Sequence, residues 1–414
     1  MPTRSKRWFQ NILSAGAASV ILVSLTCCPF DPTNPFQSTT NDSLDVIHKH
    51  VNLIDFRAWS TARERRAASS TERGALDNAG GKKIAYKNPV WNGYFADPFV
   101  MQYGNVYYAY GTAEIQGNGR WFPVLRSTDL VHWQELGGAL VPLKDPHAVS
   151  YWAPEVAQRN GKFYLYYSAG GAAGEHHKIR VAVADKPEGP FIDKGSVNLP
   201  DEGFSIDPHP FKDPKSGDWF LFFAKDFFDG RAGTGIAMVR LNNDMMSVKE
   251  PIETVVRASA DWQIFERNRN WYGKTWDAWH TLEGPTVLFR NGQYYCLYSG
   301  GCWNSKNYGV GFAHATDING PWVDDQDADG ASVLAGVPEH VLGPGHNSVT
   351  TAPDGVTPVI VYHAWDSAWT ARRLCIDQLE WTSKGPRCHP SWQAATLNPG
   401  DVAPRAGVQQ SSGD

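Results

Sequence analysis

The sequence has few of the residues that mark metal-binding, redox or nucleic-acid-binding proteins. Only 6 of its 414 residues are cysteine, and the absence of any CxxC motif argues against a zinc ribbon or a thioredoxin-like site. Basic residues are not in excess, because 38 Lys and Arg stand against 43 Asp and Glu, which makes the formal net charge −5. No basic cluster with interleaved aromatic residues occurs in the part expected to fold. These absences argue against a nucleic-acid partner, and nothing indicates a polyanionic substrate or a protein partner.

The N-terminal apolar run is too short to span a membrane comfortably. Three basic residues lie among the first seven positions, and the uncharged stretch 12–25 follows them. This order is typical of an export signal. We therefore expect residues 1–28 to be a signal peptide and the protein to be secreted, either extracellular or periplasmic. Acylation of Cys28 is the alternative, which would make this segment a lipoprotein leader and the protein a membrane-anchored one.

Aromatic residues, by contrast, make up 13% of the chain. Many of them fall in a short strand pattern that follows a turn and recurs along the chain, with no helical pattern between the copies. The copies are residues 104–110, 160–167, 217–223, 291–298 and, in degraded form, 357–362. A strand repeat with a period of several tens of residues predicts an all-β fold, specifically a five-bladed β-propeller.

Each copy is preceded by a short polar segment that is expected to face the propeller axis. These segments are Ala96-Asp97-Pro98, Trp152-Ala153-Pro154-Glu155, Ile206-Asp207-Pro208-His209, Leu282-Glu283-Gly284-Pro285 and Gly345-His346-Asn347-Ser348. Five repeats would bring all five segments to one end of one channel. We place the propeller at residues 88–392, a linker or N-terminal arm at 29–87 and a flexible tail at 393–414.

Three of the five axial segments carry an acid: Asp97, Asp207 and Glu283. A single acid beside Pro or Gly is usually a turn former, but acids at equivalent repeat positions would meet in one pocket. Clustered carboxylates repel one another and raise at least one pKa, a cost that function explains better than stability does. A pocket with one protonated acid and one ionised carboxylate is what glycosidic bond cleavage requires.

These segments, in this order and together with Asn88-Pro89-Val90, resemble glycoside hydrolase family 43. The resemblance extends over residues 88–390. It implies a five-bladed propeller that hydrolyses arabinose- and xylose-containing polysaccharides and oligosaccharides with inversion at the anomeric carbon. The first motif departs from the family pattern, because Ala96 stands where proline often precedes the acid, but the acid itself is in place.

The resemblance also implies a role for each acid. Asp97 matches the general base that activates water, and Glu283 matches the general acid that protonates the departing oxygen. Asp207 matches the third carboxylate, which orients the acid and tunes its pKa. Because the family inverts the anomeric centre, Asp97 and Glu283 should lie roughly 6.5–9.5 Å apart, with room for a water molecule between them.

Two further residues in the axial motifs carry expectations from the resemblance. His346 matches an axial histidine that in many relatives lies near a bound calcium ion or its waters. A hydrogen-bonded core histidine is the alternative, since one histidine with distant carboxylates does not make a calcium ligand set. Glu155 stands where the family commonly has Asp, and we expect it to organise the start of a strand rather than to perform chemistry.

Three residues are candidates for substrate binding. Trp152 is either a sugar platform or part of the core. His280 closes the Trp- and Arg-rich insertion before the fourth repeat, a candidate subsite wall. Arg372, with Arg373 as its alternative, is a candidate substrate-binding arginine, while a salt bridge at a strand end is the other interpretation.

The four cysteines beyond the leader form an even set in a compartment expected to be oxidising. They are Cys296, Cys302, Cys375 and Cys388, and three disulfide connectivities are open to them. A bond between Cys375 and Cys388 would close the last blade. A bond between Cys302 and Cys375 would tie neighbouring blades.

The sequence thus predicts a secreted inverting glycoside hydrolase that cleaves α-L-arabinofuranosyl linkages in arabinan or arabino-oligosaccharides, which are plant cell-wall glycans. The preference for arabinan rests on the lack of a sandwich domain after the propeller, which many β-xylosidase relatives carry. A β-xylosidase of the same family is one alternative. A non-catalytic carbohydrate-binding propeller is another, against which the retention of all three acids argues.

Overall fold

A computed structural model describes residues 83–397 apart from 173, 175, 200–202 and 326–329. The predicted signal peptide, Cys28, nearly all of the predicted arm and most of the predicted tail lie outside these residues. Within them the chain is all-β, as the sequence predicts, with a single 3₁₀ turn at Asp261–Gln263. This described part contains no helix with the length and apolar character needed to cross a bilayer.

The strands follow one another at short intervals along the chain. The first thirteen are β1 (Ile84–Tyr86), β2 (Ala96–Tyr103), β3 (Val106–Thr112), β4 (Trp121–Ser127), β5 (Gln134–Leu140), β6 (Ser150–Arg159), β7 (Lys162–Gly170), β8 (Lys178–Ala184), β9 (Ile192–Ser196), β10 (Ser205–Lys212), β11 (Trp219–Phe227), β12 (Gly233–Leu241) and β13 (Val248–Val256). The rest are β14 (Ile264–Trp271), β15 (Lys274–His280), β16 (Leu282–Arg290), β17 (Gln293–Gly300), β18 (Gly309–Ala315), β19 (Val323–Asp324), β20 (Leu342–Thr351), β21 (Pro358–Trp365), β22 (Arg372–Gln378), β23 (Glu380–Thr382), β24 (Gly385–Arg387) and β25 (Ala395–Leu397).

Consecutive antiparallel strands form sheets that are arranged like the blades of a propeller. Three sheets have four strands each, β2–β5, β6–β9 and β16–β19. A fourth sheet contains β10–β13 and also the hairpin β14–β15, which joins it through a parallel contact between β12 and β15. The sheet β20–β22 has three strands. Antiparallel neighbours can be joined by short turns, so strands that are consecutive in the chain pair within one sheet.

The first strand of each of these five sheets faces its neighbours around an axis. Strand β2 contacts β6, β6 contacts β10, β10 contacts β16, β16 contacts β20, and β20 contacts β2. The polar motifs found in the sequence lie at the start of these five inner strands. The inner strands therefore bring residues that are far apart in the chain to one end of the axis.

The aromatic repeat belongs to the second strand of each sheet and fills the space between sheets. In β7, Phe163 and Tyr167 pack in a cluster with Tyr110 of the preceding sheet, whereas Tyr166 packs in a cluster with Phe223 of the following one. Side chains alternate between the two faces of a strand, so a strand covered on both sides is apolar at nearly every position. Burial of each such ring contributes about 1.5–3 kcal/mol.

The two ends of the described part of the chain meet beside the three-stranded sheet. Strands β1 and β25 pair with each other, and both lie outside the limits of 88 and 392 expected for the propeller. Farther on, Val90 donates its N–H to the Leu374 carbonyl, and Phe95 donates to the Arg372 carbonyl. The segment between β1 and β2 therefore runs along the free edge of β22.

The cysteines show neither of the two disulfides considered from the sequence. Cys296, Cys375 and Cys388 are buried free thiols, and Cys302 is also buried. The pairing of Cys375 with either Cys388 or Cys302 is therefore absent from this structure. Cys375 and Cys388 instead pack in the same apolar cluster, where burial raises the pKa of both thiols.

Candidate active site

The five inner strands share one local distortion, a β-bulge near the start of each strand. The register shifts at equivalent points in all five pairings with the second strands. One residue in each bulge has a positive φ of 47° to 56°, and these residues are Asp97, Ala153, Asp207, Gly284 and His346. A non-glycine residue in this region of φ is uncommon, so its recurrence here indicates a built feature. The bulge turns the polar motifs toward the axis.

His346 joins two of the predicted catalytic acids. Its Nδ1 lies 3.4 Å from Oδ1 of Asp97 and 3.9 Å from Oδ2 of Asp207. Oδ2 of Asp207 also accepts a hydrogen bond of 3.0 Å from the backbone N–H of Gly284, the neighbour of Glu283. All three predicted acids therefore meet at one end of the axis, although they lie on three different sheets.

Asp97 lies among positively charged and hydrogen-bonding groups. Nη1 of Arg372 donates to Oδ1 of Asp97 at 3.0 Å. Burial alone would raise the pKa of Asp97, but the charge of Arg372, assisted by His346, His363 and a hydrogen bond from Thr112, holds it well below its usual value. Asp97 is therefore ionised throughout the neutral range.

Glu283 has the opposite electrostatic environment. Burial, together with the negative charge of Asp97, raises the pKa of Glu283 to about 7. A hydrogen bond of 2.6 Å from the hydroxyl of Tyr308 to Oε1 partly opposes this shift. A carboxyl with a pKa near neutrality can hold a proton and release it during a reaction.

Asp207 is the most enclosed of the three acids. Burial and then the charges of Glu283 and Asp97 raise its pKa well above the usual range. Three carboxyls this close together cannot all ionise near neutral pH, so the pair of Asp207 and Glu283 retains a proton while Asp97 does not. One carboxyl with a lowered pKa beside another with a raised pKa is typical of a pair that acts as general base and general acid.

A glycine is required between Glu283 and the axial histidine. Gly284 has φ of 55°, and a Cβ built there would lie 3.1 Å from Cγ of His346. A side chain at this position would strain the backbone and push the histidine ring away from Asp97 and Asp207. The glycine thus permits the close approach of two inner strands.

Arg372 lies in an aromatic enclosure that no sequence motif indicated. Its guanidinium carbon lies 4.6 Å from the ring centre of Trp303, 5.7 Å from that of Tyr94 and 6.0 Å from that of Trp365. Nη2 of Arg372 also donates to the Tyr94 hydroxyl at 2.9 Å. Rings beside a carboxylate pocket provide apolar faces of the kind that stack on sugars. Arg373, the alternative, instead pairs with Asp366 at 2.9 Å.

The other two substrate-binding candidates occupy different surroundings. Trp152 is partly buried and stacks on His177 with ring centres 3.6 Å apart. His280 is buried, and its Nε2 accepts a hydrogen bond from Arg231 while its Nδ1 contacts the Ala232 carbonyl. Both ring nitrogens of His280 are therefore engaged by protein groups at the edge of the sheet β10–β15, and its contact with substrate stays a prediction.

Glu155 forms a buried link between sheets. It accepts a hydrogen bond of 2.7 Å from Nδ1 of His209, whose Nε2 accepts the N–H of Val287 at 3.0 Å. Because Nε2 accepts a hydrogen bond, the ring hydrogen that faces Glu155 lies on Nδ1. The link holds three inner strands together and ends on the strand of Glu283, which is consistent with the structural role expected for Glu155.

The residues around His346 do not provide a direct calcium site. Among the residues that the structure describes, no group of three or more His, Cys, Asp or Glu side chains could hold a metal ion. His346 offers one nitrogen, and the nearest carboxylate, Asp97, is already bound by Arg372. Calcium prefers six to eight oxygen ligands, so direct coordination does not fit.

Three residues that are not among the sequence-based candidates contact the acids: Tyr308, Thr112 and His363. Tyr308 immediately precedes β18, and Thr112 and His363 lie near the ends of second strands. The repeat could have indicated two of them, because Thr112 and His363 occupy equivalent register positions opposite the axial motifs. Tyr308 lacked such a signal, because it lies outside the repeated motifs, just before the third strand of the sheet that also carries Glu283.

Comparison with known proteins agrees with this site. The family described as glycosyl hydrolases family 43 matches residues 86–386. The β-D-galactofuranosidase xynD of Aspergillus niger is 30% identical over 319 residues, which cover 72% of this chain and 83% of that protein. The extracellular endo-α-(1→5)-L-arabinanase 1 of Bacillus subtilis is 25% identical over 312 residues, covering 70% and 86%.

Comparison with solved structures leads to the same family. A thermostable family-43 glycoside hydrolase superposes with a TM-score of 0.63 at 32% identity, covering 74% of this chain and 97% of the other. The family match spans most of the chain and includes all five axial motifs. It confirms the resemblance seen in the sequence and the expectation of a hydrolytic enzyme. This chain belongs to glycosyl hydrolases family 43 and is a glycoside hydrolase.

Proposed function

We propose that this protein is an inverting glycoside hydrolase that cleaves α-L-arabinofuranosyl linkages in arabinan or arabino-oligosaccharides. The observation that carries the proposal is the opposite tuning of two acids in one pocket, with Asp97 held ionised and the pKa of Glu283 raised to about 7. A non-catalytic binding propeller would have no use for this costly arrangement.

In the proposed reaction, Asp97 is the general base and Glu283 the general acid. The carboxylate of Asp97 takes a proton from a water molecule, whose oxygen attacks the anomeric carbon. The bond to the departing oxygen breaks as Glu283 donates its proton to that oxygen. Attack and departure on opposite faces invert the anomeric carbon, which requires a separation of roughly 6.5–9.5 Å between the two carboxyls.

Asp207 and Arg372 support these two groups. Asp207 is proposed to share one proton with Glu283, and the hydrogen bond that it accepts from the Gly284 N–H keeps it beside the strand of Glu283. Arg372 keeps Asp97 ionised before the reaction. Trp303 and Trp365, beside Arg372, are proposed to contact the sugar together with Trp152.

The substrate class is proposed from the relatives and from sugar stereochemistry. Relatives named as α-(1→5)-L-arabinanase and exo-α-(1→5)-L-arabinofuranosidase occur at 25–27% identity. The relative named as a β-D-galactofuranosidase supports a second candidate activity. The two furanosides share their ring configuration and differ in the exocyclic group, so a pocket that accepts one ring needs only extra space to accept the other.

We further propose that the sheet β20–β22 is the fifth blade of a closed propeller. The contact of β20 with β2 supports closure of the ring. The hydrogen bonds of Val90 and Phe95 to β22 support a fourth strand supplied by the N-terminal segment. Such a blade would join the two ends of the domain and leave no free edge there.

We also propose that the protein is secreted and that it binds a calcium ion. Relatives named as extracellular support secretion through residues 1–28. A calcium ion held through water beside His346 stays a prediction, since direct coordination does not fit. Metal analysis of the purified protein, with thermal unfolding measured before and after chelation, tests it: unchanged unfolding and absence of calcium would contradict it.

A substrate panel tests the proposed activity. The enzyme should be incubated with linear arabinan, arabino-oligosaccharides, xylo-oligosaccharides and the aryl glycosides of α-L-arabinofuranose, β-D-galactofuranose and β-D-xylose. We expect arabinose or arabino-oligosaccharides as products, with an inverted anomeric signal in NMR spectra taken early in the reaction. Turnover only of xylosides or galactofuranosides would replace the proposed substrate, and retention of the anomeric configuration would overturn the mechanism.

A further inference from the structure

Five residues on the second strands occupy equivalent positions beside the bulges. Each is the register partner of the residue that precedes the bulge on its own inner strand, in the pairs 96 with 112, 152 with 168, 206 with 224, 283 with 299 and 345 with 363. They are Thr112, Ser168, Ala224, Ser299 and His363. Four of them carry a side chain that can accept a hydrogen bond, and the fifth is alanine.

The four polar members form hydrogen bonds from one sheet to the next. In each case the side chain accepts the backbone N–H of the bulge residue on the following sheet. The bonds are Ala153 N to Thr112 Oγ1 at 2.8 Å, Asp207 N to Ser168 Oγ at 3.0 Å, His346 N to Ser299 Oγ at 2.7 Å and Asp97 N to His363 Nδ1 at 3.1 Å. The last of these runs from the final sheet back to the first.

The remaining bulge N–H, that of Gly284, has a different acceptor. The side chain that would serve it by repeat symmetry is that of Ala224, which has no acceptor atom. Gly284 is buried, and a buried N–H requires a partner. Its partner is Oδ2 of Asp207, at 3.0 Å. The one gap in the series thus coincides with the one bulge that adjoins the general acid.

We propose that Ala224 is a positioning residue: because it lacks a hydroxyl, the Gly284 N–H binds Asp207 and holds that carboxyl against the strand of Glu283. Ser168 is its counterpart, since it holds the backbone of Asp207. This inference rests on the proposed function, in which Glu283 is the general acid. It adds the reason why the third acid takes this place.

The surroundings of Ala224 suit this role. It is fully buried in the same cluster as Leu282 and Val287 of β16, so its Cβ faces the strand that carries Gly284. A serine there would add one oxygen atom at the position where Ser168 and Ser299 accept bulge N–H groups. Loss of the Gly284 N–H would raise the pKa of Asp207 further, because that bond favours its ionised form.

The test is Ala224→Ser, with Ala237→Ser as its matched control. Ala237 is also fully buried in this sheet but belongs to a cluster away from Gly284. On arabino-oligosaccharides we expect Ala224→Ser to lower kcat at least tenfold with little change in KM and to shift the alkaline limb of the kcat profile. Ala237→Ser should retain the wild-type kcat and the wild-type alkaline limb. A crystal structure should show the new hydroxyl within 3.2 Å of Gly284 N and Asp207 Oδ2 beyond 3.5 Å from it.

Three outcomes would overturn the inference. One is a Gly284 N–H that still binds Asp207 in the Ala224→Ser structure. Another is a normal kcat and alkaline limb after that bond is lost. The third is an equal loss in Ala237→Ser. If Ala224→Ser does not fold, Ser168→Ala removes the other bond that positions Asp207, that of its own N–H, and an unchanged kcat and pH profile there would overturn the inference as well.

The two proposals can fail separately. Wild-type enzyme that cleaves no arabinofuranoside but another glycoside would contradict the proposed substrate and leave the kinetic comparison possible on that glycoside. Wild-type enzyme that cleaves no glycoside would contradict the proposed function. The crystallographic comparison would then still decide which group binds the Gly284 N–H.

Discussion

Tyr308 donates its hydroxyl hydrogen to Oε1 of Glu283 over 2.6 Å. The same tyrosine stacks on His363, whose Nδ1 accepts the N–H of Asp97. A short path of side chains therefore connects the proposed acid to the backbone of the proposed base. Since this hydrogen bond favours the ionised form of Glu283, it limits how far burial can raise the pKa.

Tyr308→Phe should raise the pKa of Glu283. Removing the hydroxyl removes a group that stabilises the ionised carboxyl, so the acid stays protonated to higher pH. We expect the alkaline limb of the kcat/KM profile to move upward by about one pH unit. Tyr294→Phe is the matched control, because Tyr294 also donates to a carboxyl, that of Asp213, away from the acids. A limb that stays in place in Tyr308→Phe would contradict the assignment.

Glu283→Gln should nearly abolish cleavage of unactivated substrates. Glutamine cannot donate the proton that a poor leaving group needs, whereas an aryl glycoside with an acidic phenol departs without help. We expect a loss of about 10²–10⁴-fold in kcat on arabino-oligosaccharides and a much smaller loss on such aryl arabinofuranosides. Steady-state rates on the two substrate classes give the comparison. Equal losses on both would remove Glu283 from the role of acid.

Asp97→Asn should be inactive on both classes of substrate. No group would remain to activate the water molecule, and leaving-group quality does not compensate for that loss. Binding should survive, because asparagine has nearly the same shape. Rates measured beside ligand affinity from calorimetry separate the two effects. Turnover close to the wild-type rate would exclude Asp97 as the base.

Arg372→Met should raise the pKa of Asp97, because the largest charge that opposes its burial would be gone. The base must be ionised to act, so the acidic limb of the kcat/KM profile should move upward and activity at low pH should fall. Arg373→Met, which breaks the neighbouring pair with Asp366, is the matched control. An acidic limb that moves equally in both variants would show that Arg372 has no special effect on Asp97.

Much of the fold could be predicted from the sequence because it repeats. The aromatic second strands recur with their turns, and the axial motifs recur before them, so the all-β architecture and the meeting of three acids follow from local pattern. The limits of the domain were less clear: β1 and β25 are three-residue strands without the repeat, and they pair only because the fold brings their ends together.

The partners of the acids depended on tertiary structure. Tyr308 and Glu283 lie 25 residues apart, Asp207 and Gly284 lie 77 apart, and Asp97 and His363 lie 266 apart. No local pattern specifies which hydroxyl or imidazole will face a given bulge, either within one sheet or from one sheet to the next.

The sequence by itself determined the strand order, the aromatic packing layers and the identity of the three acids, because these follow from short-range periodicity and from repeat symmetry. Only the tertiary structure decided the protonation of each acid. Burial, the charge of Arg372 and hydrogen bonds across sheets act over a few ångströms in space, and those distances exist only once the sheets have packed around the axis.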